Sequence, residues 1–129
     1  MKPNPFSHVD LRVSSAAEAL PFYQALMPEL GFTRRFLGTV WKVFAAEGDL
    51  PSVPYFGFTE EAGHRPSSCR VAFWVASAEK VDRLAAIVRR AGGRNISGPR
   101  RCPEYSASYY AVFFEDPCGN KLEILFRTD

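Results

Sequence analysis

Two stretches of the chain alternate hydrophobic and polar residues in the same way, and each predicts a β-strand. Residues 8–16 read HVDLRVSSA and residues 70–78 read RVAFWVASA, so the two align without a gap at an offset of 62. Period-two alternation places Val9, Leu11 and Val13 on one face of the first strand and His8 on the other. The match predicts an internal repeat whose two copies both begin with a strand.

A helix is predicted after each of these strands. Ser14 or Ser15 can cap a helix over residues 16–30, and Ser77 can cap one over residues 78–91. A short polar side chain just before a helical pattern is the usual signal for a helix start. The second helix carries an apolar stripe at helical spacing, which predicts one buried face.

The predicted helices end at similar places in the two halves. Gly31 and Gly93 again lie 62 residues apart, and a glycine suits the left-handed residue that ends a helix. Pro21 weakens the first helix unless it falls near the first turn.

Further strand candidates follow each helix, at residues 33–37, 40–46 and 53–58 in the first half and 94–98, 108–115 and 121–126 in the second. Turns are predicted at Gly38, at residues 48–51 and at DPCGN, residues 116–120. Each half therefore has the order β-α-β-β-β. Module one covers about 6–62 and module two about 69–127, and GHRPSS at 63–68 is the linker. The prediction is one α+β domain over residues 1–129.

Composition narrows the class of protein without indicating a partner. With 129 residues, 47% hydrophobic and 23% charged, the chain suits one packed domain. No apolar stretch has the length of a membrane span, and the N-terminal residues lack the apolar core of a secretory signal, so we expect a cytoplasmic protein that does not bind membranes. Three cysteines without metal-site spacing are expected to be reduced. The net charge is +2, and no recognised motif accompanies the arginines of 89–101, so nucleic-acid binding is not expected.

The two modules and the segment DPCGNKLEIL, residues 116–125, resemble the vicinal oxygen chelate superfamily, which includes glyoxalases, extradiol dioxygenases, fosfomycin-resistance proteins and bleomycin-binding proteins. The resemblance extends from about Phe6 to about Phe126. It implies a curled mixed sheet with a central cleft, a homodimer, and a divalent metal held by four side chains, one from the first and one from the last strand of each module.

The repeat locates those four positions in this sequence. His8 and Arg70 open the first strand of each module. In the last strands, YFGF (55–58) matches EILF (123–126), and this match pairs Tyr55 with Glu123. A slip of one residue would replace Tyr55. His8 and Glu123 are suitable metal ligands, whereas a guanidinium has no lone pair to give and a tyrosine would have to lose its proton. We therefore predict no tightly bound cofactor, with zinc, nickel, manganese or iron on His8 and Glu123 as the alternative.

Arg70 and Glu123 have two interpretations. They could form a partly buried bidentate ion pair, because a lone buried carboxylate is costly. Alternatively, Arg70 could bind an anionic group of a substrate while His8 and Glu123 act as catalytic acid and base.

Aromatic side chains add candidate binding residues. Tyr55, Trp74, Tyr105 and Tyr109 could line the cleft around a small-molecule substrate, because aromatic rings supply apolar area with a polar tip. Core or rim packing is the alternative for each, and it is favoured for Tyr110.

Three functions fit these residues. The first is a protein that binds a small anionic or oxygen-bearing molecule with a degenerate metal site. The second is a metal-dependent lyase, isomerase or dioxygenase that uses His8 and Glu123. The third is a dimeric structural or regulatory domain with a vestigial cleft. Since unlike chemistries share one scaffold, the residues do not identify the ligand.

Overall fold

The computed structural model describes residues 4–49 and 52–129 and divides the chain into two compact units. The first unit ends at His64 and the second begins at Arg65, within the predicted linker. Leu50 and Pro51 of the predicted turn at 48–51 lie outside the described residues. Within the described ranges, no helix is long and apolar enough to cross a membrane. The assignment of both units to one domain stays a prediction.

The first unit has the predicted order β-α-β-β-β. Its elements are β1 (His8–Val13), α1 (Ala16–Leu26), a 3₁₀ helix (Met27–Leu30), β2 (Arg34–Leu37), β3 (Trp41–Ala45) and β4 (Tyr55–Glu60). The sheet order is β1-β4-β3-β2, with β1 parallel to β4 and the other neighbours antiparallel.

The second unit repeats this arrangement. Its elements are β5 (Arg70–Trp74), α2 (Ala78–Ala91), β6 (Arg94–Arg101), β7 (Tyr110–Glu115) and β8 (Lys121–Phe126). The sheet order is β5-β8-β7-β6, with β5 parallel to β8 and the other neighbours antiparallel. The predicted α+β class and the two mixed-sheet modules are confirmed.

Helix α1 determines which face of the first sheet is open. Ser15 caps it, since its Oγ accepts a hydrogen bond from the Glu18 N–H at 3.2 Å. Pro21 lies inside the helix, which gives way to the 3₁₀ helix after Leu26. The Tyr23 ring packs on Phe56 and Phe58, with centroids 5.2 and 4.9 Å away. Because side chains alternate along β4, Tyr55 and Gly57 lie on the opposite face.

Helix α2 has the predicted apolar stripe, and its four stripe residues are all buried: Val81, Leu84, Ala85 and Val88. The predicted end at Gly93 is wrong by one residue. Gly92 adopts the left-handed conformation, with φ of 101°, and the Gly93 N–H closes the turn onto the Val88 carbonyl at 2.8 Å. The sequence places two glycines side by side, so its pattern could not distinguish them.

The DPCGN turn between β7 and β8 is organised by Asp116, which is fully buried. Its Oδ1 accepts hydrogen bonds from the Cys118 N–H at 2.8 Å and the Asn120 N–H at 3.0 Å, and its Oδ2 accepts one from Asn120 Nδ2 at 3.0 Å. An aspartate that satisfies following amides stabilises a tight turn. The motif therefore has a structural role, which is to set the start of β8 and the position of Glu123.

Candidate functional site

His8 and Tyr55 come together in the first unit. They are direct neighbours in the parallel ladder between β1 and β4, and their rings stack at 4.5 Å with an interplanar angle of 3°. The side chains of His8 and Tyr55 therefore lie on one continuous face formed by β1 and β4. Asp10 on the same face forms a 2.8 Å ion pair with Arg12, and both side chains are substantially exposed.

A cavity of about 430 Å³ opens on this face. All of its lining residues belong to the first unit: His8, Val9, Asp10, Phe36, Trp41, Val43, Tyr55 and Gly57. The volume is within the range of small-molecule pockets. Its walls are mainly apolar and aromatic, and its ionisable side chains are His8, Asp10 and Tyr55.

The pairing of Tyr55 with Glu123 across the repeat is corrected by the strand register. Asp10 pairs with Gly57, whereas the equivalent residue 62 positions later, Ala72, pairs with Glu123. Gly57 is therefore the ladder equivalent of Glu123, two residues from Tyr55. A shift of two residues keeps a side chain on the same face, so hydrophobic alternation could not reveal it.

Glu123 lies on the face of the second sheet that also carries a small buried cluster of Cys102, Ala111, Phe113 and Leu125. Only 5% of Glu123 is exposed, and its Oε2 accepts a hydrogen bond from the Tyr109 hydroxyl. A buried carboxylate requires a donor, and here a phenol supplies it.

The ion pair predicted between Arg70 and Glu123 is absent from the salt bridges of residues 4–49 and 52–129. Arg70 pairs in the ladder with Lys121, and its guanidinium lies over the Phe113 ring, with Cζ 5.1 Å from the centroid. The prediction is wrong: the register sets Ala72 directly beside Glu123, the Arg70 guanidinium packs on Phe113, and Glu123 accepts its hydrogen bond from Tyr109.

The environment of Glu123 shifts the titration of its neighbours. Burial, followed by the hydrogen bond to Glu123, raises the pKa of Tyr109 well above its usual value, so this phenol stays protonated and remains a donor. Burial also raises the pKa of the Cys102 thiol, although the charge of Arg100 opposes the shift. Cys102 is consequently a poor nucleophile at neutral pH.

Positive side chains gather beside this cluster. Arg100 also lies over Phe113, with Cζ 5.3 Å from the ring centroid, and it forms a 3.3 Å ion pair with Glu104. The two arginines and Lys121 line a cavity of about 320 Å³. Its remaining lining residues are Asn95, Ser97, Tyr105, Phe113, Phe114 and Glu115.

The other predicted binding residues have separate surroundings. Tyr105 lines this cavity and packs on Tyr109, with ring centroids 5.0 Å apart. Trp74 is 62% exposed. The Arg127 guanidinium lies over its ring, with Cζ 4.2 Å from the centroid, and Trp74 Nε1 donates a hydrogen bond to the Arg127 backbone carbonyl. Trp74 is outside the residues that line the described cavities. The Tyr110 hydroxyl donates to Asp82 at 2.6 Å.

The side chains at the four predicted metal-ligand positions do not form a donor set that fits a metal ion. Arg70 has no lone pair, and Glu123 is engaged by Tyr109. In the part of the chain that the structure describes, no group of three or more His, Cys, Asp or Glu side chains could hold a metal ion. The absence of a tightly bound metal stays a prediction.

Sequence reasoning missed Arg100, Lys121 and Phe113 in the second unit and Gly57 and Trp41 in the first. The sequence shows Arg100 only as one of the arginines of 89–101, whereas in the structure it lies in β6 and its guanidinium lies over Phe113. The signal that could have found these residues is the strand register, which shows which side chains are neighbours across a ladder.

Solved structures with the same fold cover nearly the whole chain. A glyoxalase/bleomycin resistance protein from Albidiferax ferrireducens T118 is 25% identical, with a TM-score of 0.76, and the match covers 97% of this chain and 100% of that one. A proposed glyoxalase from Bacillus halodurans is 28% identical, with a TM-score of 0.73 and 96% coverage of both chains. The fosfomycin resistance protein FosX from Mesorhizobium loti, at 18% identity, a TM-score of 0.67 and coverage of 98% and 95%, shows the fold alone.

Among curated proteins, none matches the sequence. The family model that matches residues 6–124 is that of the Glyoxalase/Bleomycin resistance protein/Dioxygenase superfamily, and it covers all four positions considered above. This chain therefore belongs to the Glyoxalase/Bleomycin resistance protein/Dioxygenase superfamily.

Proposed function

We propose that this protein binds a small anionic, oxygen-bearing molecule in the second-unit cavity and does so without a metal. The observation that carries the proposal is the gathering of Arg70 and Arg100 at one ring, Phe113, on the wall of that cavity. Neither guanidinium is used to neutralise Glu123, whose carboxylate is satisfied by Tyr109.

Guanidinium groups suit this role because their planar fork of donors matches the two oxygens of a carboxylate or phosphonate. Arg70 has no ion-pair partner among the described residues, so its charge is available to a ligand. Phe113 holds both arginines near the cavity through cation–π contacts. Asn95, Ser97 and Lys121 add further donors to the lining.

The arrangement argues against the enzyme alternative in which His8 and Glu123 hold a divalent metal. Glu123 is buried and bonded to a phenol that keeps its proton, so its position is that of a structural anchor rather than a free base. It also argues against a vestigial cleft, because Arg70 lines a cavity of about 320 Å³ without an ion-pair partner among the described residues, and an uncompensated charge there is a costly feature to keep without a ligand.

Isothermal titration calorimetry with acetate, benzoate, methylphosphonate and inorganic phosphate tests the proposal. At least one anion should bind, and more weakly as the salt concentration rises, because part of the attraction is between charges. Arg70→Ala should weaken binding by about 10- to 100-fold, which corresponds to one charged hydrogen bond of about 1.5–3 kcal/mol. Arg90→Ala is the matched control, since Arg90 lies in the last turn of α2, outside the cavity. Equal binding by both variants would refute this site.

The proposal includes a cytoplasmic homodimer. All three cysteines are free, as expected in a reducing compartment. The hairpin of β2 and β3 exposes Phe36, Leu37, Val40 and Trp41, and contiguous exposed apolar residues are typical of protein interfaces. Light scattering coupled to gel filtration should give twice the chain mass of 14.4 kDa. A monomer at micromolar concentration would contradict this part.

A further inference from the structure

The edge strand β6 contains a bulge next to the arginine that lines the second-unit cavity. Between Ser97 and Arg100 the register shifts, because three steps along β6 match two steps along β7, from Phe113 to Ala111. One residue of β6 is therefore extra, which is the definition of a β-bulge. Gly98 lies inside the shift and has φ of 95°, a left-handed conformation that glycine adopts without a steric penalty.

The extra residue decides on which face of the sheet Arg100 lies. In a regular ladder that continued from Ser97, Arg100 would pair with Tyr110. The Tyr110 side chain is on the helix face, where its hydroxyl bonds to a residue of α2. Arg100 instead pairs with Ala111, and its guanidinium lies against the wall of the anion cavity. Because successive side chains point to opposite faces, the bulge moves Arg100 from the helix face to the cavity face.

A side chain from α2 holds this bulge. Arg89, in the last turn of the helix, donates a hydrogen bond from Nη2 to the Gly98 carbonyl oxygen at 3.0 Å. A bulge disrupts the ladder locally, so backbone groups within it need partners from elsewhere. A guanidinium is a strong partner, because hydrogen bonds from a charged donor are stronger than those between neutral groups. The bulge is also tightly packed, since a Cβ on Gly98 would lie 2.8 Å from the Ala111 carbonyl oxygen.

We propose that Arg89 is a positioning residue for the anion site, although it lies on α2 and outside the cavity lining. It stabilises the bulge at Gly98, and the bulge turns Arg100 toward the cavity. Without this hydrogen bond, β6 can return to the regular register, in which Arg100 faces the helix. Only molecules with Arg100 in the cavity bind an anion at full strength, so their fraction sets the apparent affinity. This role rests on the anion binding proposed above.

Isothermal titration calorimetry with the tightest anion of the panel tests the role of Arg89. Arg89→Ala should weaken binding by at least about threefold, because it lowers the fraction of molecules that are competent to bind. Arg90→Ala is the matched control, since it removes one positive charge from the same helical turn, and it should bind like the wild-type protein. Arg89→Lys keeps a donor for the Gly98 carbonyl and should recover most of the affinity. Equal binding by Arg89→Ala and Arg90→Ala would overturn the positioning role.

A double-mutant comparison separates positioning from a general loss of structure. In an Arg100→Ala background, Arg89→Ala should change anion binding by less than about twofold, because the side chain that Arg89 positions is no longer present. A loss as large as that in the wild-type background would show that Arg89 does not act through Arg100, and would overturn the role.

NMR spectroscopy gives a measurement that needs no anion. The Arg100 guanidinium lies over the Phe113 ring, so the ring current shifts the resonances of the adjacent Arg100 Hδ protons upfield. Arg89→Ala should move these resonances toward those of an unstacked arginine, and Arg90→Ala should leave them in place. Unmoved resonances in Arg89→Ala would overturn the role even if the wild-type protein binds anions. A wild-type protein that binds no anion would refute the proposed function, while the resonances would still decide whether Arg89 sets the position of Arg100.

Discussion

Removing the Tyr109 hydroxyl should destabilise the protein, because it leaves the Glu123 carboxylate buried without its donor. Glu123 is 5% exposed and accepts its hydrogen bond from this hydroxyl. A hydrogen bond to a charged group contributes about 1.5–3 kcal/mol, and stranding the buried partner adds desolvation cost. We therefore expect Tyr109→Phe to lower the free energy of unfolding by about 2–3 kcal/mol.

A double-mutant cycle isolates this interaction. Glu123→Leu alone strands the phenol, whereas Tyr109→Phe with Glu123→Leu removes both polar groups and leaves neither unsatisfied. The double variant should therefore be more stable than the sum of the single effects predicts, by about 1.5–3 kcal/mol. Urea unfolding followed by circular dichroism measures all four proteins. Tyr110→Phe is the control, and should cost less than about 1 kcal/mol, because its hydroxyl bonds to the exposed Asp82. A coupling energy within about 0.5 kcal/mol of zero would refute the reasoning.

The same hydrogen bond should appear in the pH dependence of stability. Burial and Glu123 raise the pKa of Tyr109 above the value of about 10 expected in the unfolded chain. A group whose folded-state pKa is raised contributes its full stability below the unfolded pKa and loses it as pH rises through the folded pKa. The wild-type protein should therefore lose more stability above about pH 10 than Tyr109→Phe does. Equal losses in the two proteins would contradict this interpretation.

Two further predictions concern the turn and the cysteines. Asp116→Ala should lower the free energy of unfolding by about 2–4 kcal/mol, because it leaves backbone amides of the turn without their acceptor. Asp116→Asn should cost less, and urea unfolding measures both variants. A cost below about 0.5 kcal/mol for the alanine variant would count against the turn's role. Iodoacetamide should modify the exposed Cys69 before the fully buried Cys102, because burial raises the pKa of the Cys102 thiol. Mass spectrometry of a time course measures both rates. Equal rates would contradict the burial of Cys102.

Local patterns in the sequence were sufficient for most of the fold. The alternation at residues 8–13 and 70–75 predicted β1 and β5, which the structure places at 8–13 and 70–74. Short-range rules predicted a helix cap at Ser14 or Ser15, which is Ser15 in the structure, a second cap at Ser77 and the buried stripe of α2. These features depend on residues that are close in sequence, because the regular period of a strand or helix determines the direction of each side chain.

The site was less predictable because it depends on register and on side-chain direction. Pairing Tyr55 with Glu123 was wrong by two residues, a shift that leaves the hydrophobic pattern unchanged. The partner of Glu123 proved to be Tyr109, which approaches it from the segment before β7, rather than the arginine expected from charge. The negative charge of Glu123 indicated that it needed a partner, but Tyr109 lies outside the strands, so neither the hydrophobic alternation nor the strand register could identify it.

The central claim, that a cluster of arginines rather than a metal recognises an anion, is tested most directly by measuring anion binding with and without metal. Protein treated with chelator and then dialysed should bind the tightest anion of the calorimetric panel as well as protein supplied with zinc, nickel, manganese or iron. Elemental analysis of the purified protein should find no stoichiometric metal. Anion binding that is lost with the chelator and restored by one of these metals would contradict the account.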